Sequence, residues 1–169
     1  MLNKYFITQE FVDKETYELL GYDAIKLMDN RILQTIFDIR KTIGMPIIIN
    51  NWHKKENGFQ NRGYRTIKSD VGVKTGAHYK GMALDFDVYN SKNSIMPASL
   101  VRKFLYSNIE KFPHIRCIED DINWNHIDVM GETDSDRRTG INSDKILIYS
   151  PTLGSSVKTR DYLKQEYKE

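Results

Sequence analysis

The sequence predicts an α+β fold, with a mostly antiparallel central sheet and flanking helices. Two observations carry this. Helical apolar spacing dominates the first quarter of the chain, whereas short runs rich in β-branched residues dominate the rest, with one further helical pattern inserted among them. That segregated order favours α+β over a doubly wound parallel sheet. The 169 residues, 40% of them hydrophobic, suit a single soluble globular domain with a continuous core.

Taken in order, Thr8 is a candidate N-cap for a short helix that starts its apolar face at Phe11 and Val12 and ends near Gly21. Ile25, Met28, Ile32, Leu33, Ile36, Phe37 and Ile39 then recur at helical spacing, with Asp23 as a cap and Gly44 and Pro46 as the stop. Residues 47–50 read as a buried strand. Residues 51–76 form a long polar stretch broken by glycines, a length that in a small domain usually serves function. Residues 82–89 are the next strand. Pro97 opens a third helix with Leu100, Val101, Phe104, Leu105 and Ile109 on its apolar side. Residues 115–118 and 122–129 read as two strands joined by the turn Glu119-Asp120-Asp121. Residues 131–143 read as a surface loop and 145–149 as a final strand. This divides the chain into a domain over 1–150 and a polar tail over 151–169, with a short helix near 161–167.

The net charge of +2 gives no argument for nucleic acid. No apolar run is long enough for a bilayer, and no basic-then-apolar leader opens the chain, so neither membrane nor signal peptide is expected. The single cysteine, Cys117, sits in an apolar run and reads as a small buried residue.

The chemistry concentrates in Gly76-Ala77-His78-Tyr79-Lys80-Gly81-Met82-Ala83-Leu84-Asp85-Phe86. An imidazole and a carboxylate stand here on either side of a turn that feeds a strand. His126 offers a second imidazole in strand context. A hydrolytic zinc takes three ligands from His, Asp or Glu and leaves a position for water, so His78, Asp85 and His126 are a candidate set. Spacing alone leaves packed or surface histidines as the alternative. Asp128, on the same strand face as His126, is either a partner for a ligand imidazole or a surface aspartate. Asp87 stands to Asp85 in the same relation and competes with it as ligand.

The run His78-Tyr79-Lys80-Gly81-Met82-Ala83-Leu84-Asp85 resembles the His-x-x-Gly-x-Ala-x-Asp signature of the D-alanyl-D-alanine carboxypeptidase and L-alanyl-D-glutamate endopeptidase family of zinc peptidases. Trp124-Asn125-His126 is similar to that family's later Trp-x-His element, and Gly63-Tyr64-Arg65 to its Gly-Tyr-Arg. The resemblance covers the chain from about Tyr5 to Tyr149 and implies the hedgehog/DD-peptidase fold. It implies Zn2+ held by His78, Asp85 and His126, with Gly81 letting the backbone turn close to the metal. Arg65 would bind a substrate carboxylate or the developing oxyanion. Trp124 and Tyr79 read either as the lining of a peptide groove or as core residues.

Two positions depart from the pattern. Gly76 replaces a serine, and Asn123 stands where many members carry the acid that serves as general base. Asp120 and Glu119 are the candidate bases in its place. The implied function is hydrolysis of peptide bonds in peptidoglycan stems by a phage enzyme. Such an endolysin or virion-borne lysin would stay in the host cytoplasm until release, or travel with virion components. The alternatives are a zinc-binding but inactive structural or binding module of a phage particle, and a metal-free carbohydrate or protein binder.

Overall fold

The computed structural model describes residues 5–66, 68–71, 76–132, 134 and 140–168. Parts of the long polar stretch over 51–76 and of the loop expected over 131–143 lie outside the described residues.

Helices α1, α2 and α4 begin where a carboxylate or hydroxyl meets a free backbone amide. Helix α1 (Lys14–Leu20) is capped by Asp13, which accepts from the Thr16 amide at 2.8 Å. The cap expected at Thr8 is corrected: Thr8–Glu10 is a single 3-10 turn. Helix α2 (Asn30–Ile43) starts at Asp29 and closes at Gly44, whose φ of 70° is left-handed. It begins later than Asp23 because Gly21–Leu27 winds as 3-10 helix and Met28 breaks it with extended dihedrals. Helix α3 (Ala98–Ser107) follows Pro97, and helix α4 (Arg160–Glu166) is capped by Thr159.

Among the described residues, six strands form one sheet in the order β1-β2-β4-β3-β5-β6. They are β1 (Ile47–Ile48), β2 (Ala83–Val88), β3 (Cys117–Glu119), β4 (Asn125–Asp128), β5 (Lys145–Ser150) and β6 (Gly154–Thr159). The sheet is mixed. Strands β3 and β5 run parallel, while the other neighbours pair antiparallel. After β4 the chain makes a long excursion and returns along the free side of β3, in the same direction as β3.

The polar stretch after Thr152 is more than a tail. Strand β6 pairs with β5 from Lys145↔Thr159 to Ser150↔Gly154. Helix α4 inserts Leu163 into the main core and lays Tyr167 against Tyr106, ring centroids 4.8 Å apart. The Arg160 guanidinium donates to the carbonyls of Ile109, Phe112, Pro113 and Ile115. Residues from 151 on therefore complete the sheet and the core.

Side chains alternate across a strand with period two, and this sorts the chemistry from the core. Leu84, Phe86 and Val88 of β2 join Ile118, Ile127 and Ile146 in one apolar core with Ile32, Ile36, Ile39, Val101 and Leu105 of the helices. The intervening positions, Ala83, Asp85 and Asp87 of β2 and His126 and Asp128 of β4, belong to the other face. Cys117 is buried, as its apolar surroundings predict.

Candidate metal centre

Three elements bring the site together. His78 lies in a one-turn 3-10 helix, Ala77–Lys80, which ends at Gly81 with φ 66°. A Cβ on Gly81 would stand 2.0 Å from the Leu27 carbonyl oxygen, so only glycine fits between the turn and the segment before α2. Asp85 and His126 are register partners on β2 and β4, which places their side chains side by side on one face.

Asp85 is the hub. Its Oδ1 is 2.7 Å from His126 Nδ1, and its Oδ2 is 3.3 Å from His78 Nε2 and 2.8 Å from Arg65 Nη2. All three triad residues are buried, and one ligand atom from each lies within 4.8 Å of the others. They are the one cluster of this kind found among the described residues.

Each imidazole is oriented by a second contact. His78 Nδ1 is 2.8 Å from the Gly63 carbonyl oxygen, to which it donates, and this contact turns Nε2 toward Asp85. His126 Nε2 is 3.7 Å from Asp128 Oδ2, which leaves Nδ1 to face Asp85. Gly63 is held as tightly as Gly81, since a Cβ there would meet the Phe11 carbonyl oxygen at 2.0 Å.

The electrostatics of the cluster favour a positive charge beside the Asp85 carboxylate. Burial disfavours the Asp85 carboxylate, but the charges and hydrogen bonds of His78 and His126 outweigh it and hold its pKa well below the usual carboxylate range. Burial also opposes charge on His126. Hydrogen bonds to Asp128 and Asp85 and the charges of Asp85 and Glu119 overcome that and push its pKa up to about 10. A charged imidazolium thus sits between carboxylates, where a divalent cation would serve the same purpose. The donor set fits a metal: two imidazole nitrogens, one carboxylate, a carbonyl hydrogen-bonded to the His78 ring and a carboxylate 3.7 Å from the His126 ring.

The other expected site residues fall as follows. Arg65 reaches the cluster; its Nε also donates to the Asn61 carbonyl at 2.5 Å. Asp87, the competing carboxylate, is paired with Arg62 at 2.6 Å and is not one of the triad. The Tyr79 hydroxyl is within hydrogen-bonding distance of the carbonyls of Ser69 and Val71, so it secures the preceding loop. Trp124 is 39% exposed and free to meet a ligand. His53 packs on Trp52, ring centroids 5.6 Å apart.

The two candidate bases separate. Asp120 forms an ion pair with Arg102 of α3 at 2.8 Å. Glu119 follows the pairs Cys117↔Asp128 and Ile118↔Ile127, so the same frame sets it opposite His126. Asp85, His126 and Glu119 therefore form a row across β2, β4 and β3. Beyond Glu119 the row continues to Tyr149 of β5, its parallel partner. Sequence reasoning missed Tyr149 and Arg102. Tyr149 looked like one more residue of a strand, and Arg102 like a polar residue of a helix surface.

No family model, curated protein or solved structure matches the chain. No helix among the described residues is long and apolar enough to cross a membrane.

Proposed function

We propose that the protein is a zinc-dependent peptidase that hydrolyses peptide bonds in the stems of bacterial peptidoglycan. The observation that carries this is the buried His78, Asp85 and His126 cluster, with an acid set beside it in the strand register. The sequence resemblance supplies the substrate class. The same resemblance supports the hedgehog/DD-peptidase fold, with a mostly antiparallel sheet, and a phage setting as endolysin or virion-borne lysin.

His78 Nε2, His126 Nδ1 and Asp85 would hold the zinc. When bound, zinc supplies a Lewis acid and acidifies the attacking water. The chain's own residues do the rest. Glu119, opposite His126, accepts the proton of the attacking water and passes it to the leaving amine. Arg65, seated on Asp85, fixes that carboxylate and places positive charge where negative charge develops. Gly63 and Asp128 keep each imidazole in the tautomer that presents a lone pair to the metal. Trp124 offers an exposed aromatic wall for the substrate.

Asn123 and Gly76 favour a second reading, a zinc-binding module of a phage particle without turnover. One experiment separates the two. The protein is incubated with purified muropeptides, with added zinc or with chelator, and the products are identified by mass. Cleavage that needs zinc supports the peptidase. Intact muropeptides in the presence of zinc-loaded protein overturn it.

A further inference from the structure

We propose that Arg102 is a positioning residue for this hydrolysis: it clamps the β3–β4 turn from helix α3 and so keeps Glu119 beside His126. The inference rests on the peptidase function proposed above.

The strand register shows why a clamp is needed. His126 is secured by β2 through pairs running from Ala83↔Asp128 to Phe86↔Asn125. The pairing of β3 with β4 stops at Ile118↔Ile127. Glu119 and His126 stand one step beyond it, at the mouth of the turn over 120–124. Strand β5 holds Glu119 on one side, through Tyr149. On the other side its place depends on the turn.

That turn has a conformation that needs holding. Asp121 has φ 56°, in the left-handed region that residues other than glycine adopt sparingly. Its carboxylate accepts from the hydroxyls of Ser150 and Thr152, at 2.5 and 2.9 Å. Arg102 grips the rest. Its Nε is 2.8 Å from Asp120 Oδ1, and its Nη1 donates to the carbonyls of Ile122 and Trp124 at 3.1 Å each. The residue is only 5% exposed. A buried guanidinium must have partners, and these partners all belong to the turn. The planar guanidinium sets its Nη1 donor on the two carbonyls while its charge faces Asp120, an arrangement a lysine ammonium cannot copy. Arg102 makes no contact with the triad and meets Trp124 only at its backbone carbonyl, so its effect on the proton transfer runs through Glu119.

The test is a double-mutant cycle on the zinc-loaded enzyme with muropeptide substrate, combining Arg102→Met with Glu119→Gln. Alone, Arg102→Met is expected to lower kcat at least about tenfold, with KM and zinc affinity within about twofold of wild type. In the Glu119→Gln background it is expected to lower kcat no further. An equal loss in both backgrounds overturns the proposal, because Arg102 would then act by another route. Arg102→Lys, which keeps the charge opposite Asp120, serves if the methionine variant folds poorly, and an intermediate loss is expected from it.

A second arm needs no activity. Amide hydrogen exchange at Asp120, whose N–H donates to the Tyr149 carbonyl at 2.7 Å, is expected to speed up about tenfold in Arg102→Lys while the amides of β2 keep their protection. Unchanged exchange at Asp120 overturns the clamp even if the protein proves not to be a peptidase. Faster exchange in a protein that cuts no muropeptide would keep the clamp and reject the peptidase.

Discussion

Removing metal and raising the pH should destabilise the protein, and the size of the effect follows from His126. Without metal its imidazolium bridges Asp85 and Asp128, and its pKa is pushed up to about 10 from an ordinary 6.5. A group whose folded pKa is raised contributes its full stability below the unfolded value and loses it as pH rises through the folded value. The rise from 6.5 to about 10 corresponds to a ceiling of about 5 kcal/mol. Between about pH 6 and about pH 8.5 roughly half of that disappears, about 2.5 kcal/mol, or ~5–10 °C in Tm for a chain of this size. Asp85 works in the opposite sense: its stability is present above its ordinary pKa of 3.8 and is lost on acidification. The metal-free protein should therefore be most stable between about pH 4 and about pH 6.5. The assay is thermal unfolding of the chelated protein across pH, beside a His126→Gln variant that isolates this residue from other titrating groups. The Tm difference between the two should shrink as pH rises from 6 to 8.5. A difference that is flat or grows over that range refutes the bridged imidazolium.

Further outcomes follow from the same geometry. Zinc must displace the His126 proton, so its apparent affinity, measured against a metal buffer, should keep rising between about pH 7 and about pH 9, approaching tenfold per pH unit; an ordinary histidine would level off near its usual pKa. Gly81→Ala puts a Cβ 2.0 Å from the Leu27 carbonyl oxygen at a φ of 66°, so His78 must shift, and zinc affinity should fall at least about tenfold in the same assay. Arg62→Met leaves the buried Asp87 carboxylate without its 2.6 Å partner; it should cost about 3 kcal/mol in denaturant unfolding, while zinc still binds at one per chain.

Much of the site was legible in the sequence because period-two alternation is visible there. Ala83-Leu84-Asp85-Phe86-Asp87-Val88 reads as a strand with apolar and acidic faces, and it folds as one. His126 beside Ile127 carries the same pattern. The choice between Glu119 and Asp120 could not be read, since it depends on the register of β3 against β4, and a shift of one residue exchanges the two acids between faces. Strand β6 escaped notice because Gly154-Ser155-Ser156-Val157-Lys158-Thr159 lies at the sheet edge, mostly exposed, and needs little apolar alternation. The helix starts moved from Thr8 and Asp23 to Asp13 and Asp29 because several residues along each stretch can cap, and tertiary packing selects among them. Burial of Arg102 left no trace in the sequence, because its partners are backbone carbonyls and one acid in a distant turn.

The proposed function requires one zinc ion among His78, Asp85 and His126, with Glu119 at its side. Crystals grown with zinc, with anomalous data collected above and below the zinc edge, test it most directly. The expected result is one strong anomalous peak bonded to His78 Nε2, His126 Nδ1 and an Asp85 oxygen, with a Glu119 carboxylate oxygen within about 5 Å. A site without an anomalous peak, or a zinc with Glu119 turned away to solvent, would contradict it.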